Sequence, residues 1–396
     1  MPSTEAFITP RLLAWARKRS DLTPESAAQQ FKVSRDKWDS WESGAARPTF
    51  RQAQELANRL HVPFGYLFLS SEPDESIDLP DLRTVGNAPP QAPSVDLIDV
   101  VEDAMRKQEW LRDYRIAEGA EPLAFVGKFS VADDYQTVAE DIRGQIGLTP
   151  TLRRAAKNWE DFLGHFARAA ESKGIVVLRS GVVGNNTHRN LDPDEFRGFA
   201  ISDSHAPLIF VNGADAKAAQ AFTMAHELVH IWIGASGISN PDYRETANQQ
   251  PNTIERFCNR VAAEVLLPSA SFRAGWNHDA DIATNLRAMR TEYRVSDLAA
   301  LIHARDLNIV SPEEFSEHFE RLNDEQSGRD SRSGQGGDFY ATLLTRSSTS
   351  LASAVIAALS EGNLSLRDAS DLLGVKPNRI DVAQPKAIAK KTAKFR

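Results

Sequence analysis

Two histidines four residues apart, His226 and His230, with Glu227 directly after the first, form an H-E-x-x-H pattern within the apolar stretch Phe222 to Ile233. On a helix such a pair lies on one face and can reach one metal ion. A zinc ion held there acts as a Lewis acid and makes a water acidic enough to ionise near neutral pH. The following glutamate is placed to take that water's proton and pass it to a leaving amine, which is hydrolysis of a peptide bond. The bland alternative is two core histidines with satisfied ring nitrogens. The metal reading is preferred because the pattern sits mid-helix without a breaker and a third ligand can be found.

That ligand must come from farther along the chain. The H-E-x-x-H-x-x-G-x-x-H pattern of the metzincins is excluded, because Ile233 and Ser236 stand where its glycine and third histidine belong. Gly234 ends the first helix, 235–253 reads as an irregular loop, and a helix follows over 254–267, stopped by Pro268. Its carboxylates, Glu255 and Glu264, are nine positions apart and so lie on opposite faces. Asn259 shares the face of Glu255. Glu255 is therefore the expected third ligand of a His-His-Glu site open to water, with Glu264 structural and paired to a basic residue. His278 and Asp242 are the weaker alternatives, and Cys258 reads as a small core residue.

The elements that must position this helix precede it. A helix is expected over 96–116, a short strand over 122–126, and helices over 131–146 and 151–172. Strands follow over 174–178, 197–202 and 207–211, with a turn at 203–206. An open sheet edge beside the cleft would hold an extended peptide by main-chain pairing. His188, Tyr243 and Arg256 are candidates for stabilising an oxyanion.

The 396 residues are 41% hydrophobic and 25% charged, long enough for two or three domains. No apolar run would span a bilayer, no signal peptide opens the chain, and a lone cysteine fits a reducing cytoplasm. The net charge of −8 is uneven: residues 1–70 hold ten Lys/Arg against seven Asp/Glu, a balance of +3, which leaves −11 for the rest. In that basic region Thr23-Pro24 starts one helix and Ser34 caps the next after a short break, the spacing of a helix-turn-helix. Ser34, Arg35 and Lys37 at the start of the second helix would face base edges in the major groove of a double-stranded operator. Trp38 and Trp41, three apart, belong to the core. A protein-binding helical bundle is the alternative, since +3 is modest for a DNA binder.

Residues 9–69 resemble the XRE/Cro-type helix-turn-helix family, through Phe31–Ser34, Trp41–Gly44, Arg47–Thr49, Leu56-Ala57 and Pro63–Phe68. That resemblance implies a dimer on a palindromic operator, often the protein's own promoter. Residues 95–325 resemble the ImmA/IrrE family of zinc metallopeptidases, most strongly in Phe222–His230 and Ile254–Pro268. It implies a downstream glutamate ligand, which falls on Glu255, and cleavage of helix-turn-helix repressors. Fusion of the two domains is familiar in that family, and some fusions neighbour nuclease toxins, which makes an antitoxin role conceivable.

The expectation is thus an α+β protein: a helix-turn-helix domain (1–71), a linker (72–94), a zincin-like domain with a small sheet (95–325), a second linker (326–337), a C-terminal helical appendage (338–385) and a basic tail (386–396). Its cofactor is Zn2+, its partners DNA and a protein substrate such as a repressor or toxin, with a homodimer but no membrane. The competing reading is a regulator or antitoxin whose zincin domain binds a partner without cutting it.

Overall fold

A computed structural model describes residues 4–73, 77–82, 93–241, 252–330 and 345–380, with the backbone alone over 323–330. Asp242, Tyr243, most of both linkers and the basic tail lie outside the described residues. The chain is α+β and divides into two compact units: Met1–Ile77 with Pro93–Ile98, and Asp78–Ala92 with Asp99–Arg396.

In the first unit α1 (Pro10–Arg19), α2 (Pro24–Gln30), α3 (Arg35–Glu42) and α4 (Phe50–Arg59) surround a core of Leu13, Trp38, Trp41, Leu56 and Leu67. The helix starts are written in the sequence. Thr23 and Ser34 accept from the backbone N–H three residues on, and Thr49 forms a reciprocal capping box with Gln52. The break between α2 and α3 turns on Lys32, at φ +55°. The buried tryptophans agree with their three-residue spacing, and Trp38 Nε1 donates to Glu42, which also pairs with Arg17 at 2.6 Å.

The second unit contains α5 (Val95–Ala117, its first turn counted with the first unit), α6 (Tyr135–Ile146), α7 (Pro150–Ala155) and α8 (Trp159–Glu171). Strands β1 (Val176–Ser180), β2 (Gly198–Ile201) and β3 (Leu208–Asn212) follow, then α9 (Lys217–Trp232) and β4 (Gly237–Ser239). The sheet order is β1-β3-β2-β4, with β1 parallel to β3 and the other pairs antiparallel. Next come α10 (Thr253–Leu266), α11 (Ser269–Gly275), α12 (Ile282–Tyr293), α13 (Asp297–Asp306) and α14 (Pro312–Asp330), then two C-terminal helices, Thr349–Ser360 and Leu366–Leu373.

Three expectations need correction. Residues 122–126 are not a strand. Phe125 stacks on Trp232 with ring centroids 4.4 Å apart, and the N–H groups of Gly127 and Phe129 cap the Ile231 and Trp232 carbonyls at 3.0 Å. An apolar run is thus spent on closing the C-terminal end of α9, whose last carbonyls need donors. The helix expected over 151–172 is two, because Asn158 caps Asp161 N–H and starts α8 afresh. The loop expected over 235–253 begins with β4, which pairs with β2.

His303 on α13 is nearly buried, its ring edge-on to Phe272 at 4.9 Å. Burial pulls its pKa down to about 4, against a Leu267 backbone hydrogen bond that opposes the fall. Between pH 6.5 and 4 the unfolded chain takes up this proton and the folded chain does not. Stability is therefore intact above pH 6.5 and falls through that window, by about 3 kcal/mol at most. Urea melts at pH 7 and pH 4.5 should show His303→Leu losing less stability on acidification than the wild type. An equal loss in both would assign the effect to other groups.

Candidate metal centre

Helix α9 is buried from Ala219 to Trp232 and largely apolar, with His226, Glu227 and His230 facing inward and Gln220 donating to the Gly213 and Asp215 carbonyls. Helix α10 packs against it, and Asn252 caps its start, which places Glu255 in the first turn. The two histidines and Glu255 meet at their tips. His226 Nε2 lies 3.1 Å from His230 Nε2 and 3.2 Å from Glu255 Oε2, and His230 Nε2 lies 3.1 Å from Glu255 Oε1. A tetrahedral ion about 2.0 Å from each ligand atom sets those atoms roughly 3.3 Å apart, so the triangle fits zinc. Glu255 Oε1, although close to His230, makes no hydrogen bond among the described residues. Burial would raise the Glu255 pKa, but His226 and His230 outweigh it and hold the carboxyl at about 2.

The outer nitrogen of His226 is also held. Its Nδ1 is 2.8 Å from Asn259 Oδ1 on α10. A proton on Nδ1 donated to that oxygen leaves Nε2 with a lone pair for a metal. Asn259→Leu should therefore weaken zinc binding by about 10- to 100-fold. Competition with a chromophoric chelator measures this, and an unchanged affinity would remove Asn259 from the site's support.

Cys258 is the residue that the sequence assigned to the core and the structure brings close to both histidines. Its Sγ lies within 4.8 Å of the ligand nitrogens of both histidines. It is fully buried, and that burial, with the charges of Glu255 and Glu227, pushes the thiol well above its usual range. A ligand must be a thiolate. The shorter distances and the ionised carboxylate favour Glu255 over Cys258.

Glu227 is fully buried beside this triangle. Its Oε1 accepts from Ser239 Oγ on β4, and its Oε2 has no hydrogen-bond partner among the described residues. Burial raises its pKa to about 8, against the pull of His230 and the Ser239 bond. Gly198 on β2 passes so close that a Cβ there would lie 2.6 Å from Thr223 Cγ2 and 2.8 Å from Glu227 Oε1. Only a glycine leaves the carboxylate this room.

Other sequence candidates fall elsewhere. Glu264 accepts from the Ser269 backbone N–H at 3.0 Å and from its hydroxyl, so it caps α11 instead of pairing with a basic residue. His278, His188 and Arg256 are exposed, and none is brought to the triangle. In the first unit Ser34 caps the Lys37 N–H at 3.2 Å. Arg35 is bound by Asp39 at 2.8 Å and by Glu25. The Lys37 ammonium lies 5.5 Å from the Trp41 ring centre.

Family models match separate parts of the chain. Residues 170–304, which contain His226, Glu227, His230 and Glu255, match a peptidase family described as IrrE N-terminal-like domain. Residues 11–64 match a helix-turn-helix domain, and residues 347–382 match a domain of unknown function. The first two together are the fusion that the sequence resemblance led us to expect. No curated protein matches the chain. Among the described residues no helix is long and apolar enough to cross a membrane.

Proposed function

We propose that this chain is a DNA-binding, zinc-dependent endopeptidase that cuts a protein partner in the cytoplasm, such as a helix-turn-helix repressor. The observation that carries the reading is the triangle of His226, His230 and Glu255 with the unpartnered oxygen of Glu227 beside it. Zinc, when bound, supplies Lewis acidity to the scissile carbonyl and to water. His226 and His230 would hold the ion through Nε2, with Asn259 fixing the first ring, and Glu255 would neutralise one of its charges. Ser239 orients the Glu227 carboxylate through one oxygen and leaves the other to take a proton from water and return it to the leaving amine.

Cells expressing the wild type or Glu227→Gln would be compared for protein N-termini that arise only with the former. A repressor fragment with such a terminus supports the reading, whereas identical sets of termini argue for a regulator that binds without cutting.

The helix-turn-helix unit supplies the DNA contact, with the start of α3 in the major groove and Ser34, Arg35 and Lys37 nearest the bases. Arg35 must leave Asp39 and Glu25 to reach a base. Arg35→Ala is expected to cost about 1–3 kcal/mol on the preferred duplex and little on random DNA. Anisotropy titrations of both duplexes at one salt concentration check it; equal losses would make Arg35 a phosphate contact.

A further inference from the structure

The strand that leads into the metal helix, β3, lies inside the sheet, so it offers no edge for a peptide. The outer strand beside the base is β4, which follows α9. Ser239 on β4 holds Glu227, and its sheet partner is Gly198, whose backbone abuts the same carboxylate. Side chains alternate along a strand, so Gly237 and Ser239 share the face turned to the metal helix, and Ile238 faces away.

That edge is already occupied. The Ile238 N–H donates to the Pro80 carbonyl at 2.9 Å, and the Leu82 N–H donates to the Ile238 carbonyl at 2.9 Å. The result is a parallel bridge between Asp81 and Ile238. Leu82 also lies over Gly237: a Cβ on that glycine would sit 2.5 Å from Leu82 Cδ1. The apolar side chain thus rests on the same face as Ser239. Both outward groups of Ile238 are used by three residues from the stretch that joins the two units in sequence.

We infer that the outer edge of β4 is the site where an extended peptide pairs with this chain, and that Pro80–Leu82 is its internal occupant, which a substrate must displace. The segment makes the two main-chain bonds and the one apolar contact that strand addition would give an incoming peptide. Its tether keeps it at high effective concentration, so an untethered peptide meets an edge that is mostly filled and binds with an affinity reduced by the open fraction. The substrate class is an extended segment with an apolar residue where Leu82 sits. The inference rests on the proposed peptidase reading for its consequence, but its test does not need cleavage.

The probe is a fluorescein-labelled peptide with the sequence of residues 77–82, titrated into the zinc-loaded full chain and followed by anisotropy. Leu82→Pro removes the N–H that pairs with Ile238 while leaving β4 intact. It should bind the peptide about tenfold more tightly than the wild type. Equal affinities would overturn the inference.

Amide exchange in the wild type decides the matter if the variant does not fold. Excess peptide should speed exchange at Leu82 and leave Ile238 protected by the newcomer. No change at Leu82 would make the segment a fixed part of the sheet and overturn the inference. Peptide binding without cleavage of any protein would leave the inference standing and sink the peptidase reading. Cleavage at equal rates in wild type and Leu82→Pro, with no peptide bound, would do the reverse.

Discussion

Glu227→Gln is expected to slow cleavage of the partner by about 10³-fold, within the 10²- to 10⁴-fold range for loss of a general base, while zinc content stays unchanged. The substitution keeps the size of the side chain in a place where size is critical, since Gly198 leaves no slack around Glu227 Oε1. It keeps an oxygen that can accept from Ser239. It removes only the ability to take a proton. Burial, against the pull of His230 and the Ser239 bond, raises its pKa to about 8, and a zinc ion in the neighbouring triangle would favour its ionised form. The check is a time course on the purified partner with wild type and variant at equal zinc occupancy. A rate within a factor of about three of the wild type would place the base elsewhere.

Glu255→Ala is expected to abolish tight zinc binding and the stability that zinc gives. The carboxylate is nearly buried against two imidazoles, and without it only those rings remain to hold a dication, with no compensating charge. In the wild type, free zinc at about a thousand times its Kd should add roughly 4 kcal/mol to unfolding. Thermal melts with chelator and with buffered zinc would show that gain in the wild type and little in the variant. A full zinc response in Glu255→Ala would mean that another side chain completes the site, and Cys258 is the nearest.

The residues that meet at the candidate site were legible because they are local in sequence. Two histidines and a glutamate within five residues declare a helix face by themselves. The 100° step along α10 was enough to separate Glu255, which meets both histidines, from Glu264, and to put Asn259 on the same face. Ser239 and Gly198 carry no such sign. Each matters through pairing between strands far apart in sequence, and β4 is too short to show alternation. The bridge from Asp81 to Ile238 spans still more of the chain.

The apolar run at 122–126 misled for a related reason. Its residues are hydrophobic because Phe125 covers Trp232 at the end of α9, a packing demand that looks the same as that of a strand. Cys258 was read as core on residue type, and it is buried. Its nearness to both histidines follows from a position one turn past Glu255, which the same face argument could have revealed.

The most direct test is the zinc content and X-ray absorption spectrum of the purified full chain, beside Glu255→Ala and Cys258→Ala. The account predicts about one zinc per chain in a shell of nitrogen and oxygen near 2.0–2.1 Å, lost in Glu255→Ala and kept in Cys258→Ala. Sulfur at about 2.3 Å, zinc retained without Glu255, or a chain that takes up no zinc when it is supplied would contradict it.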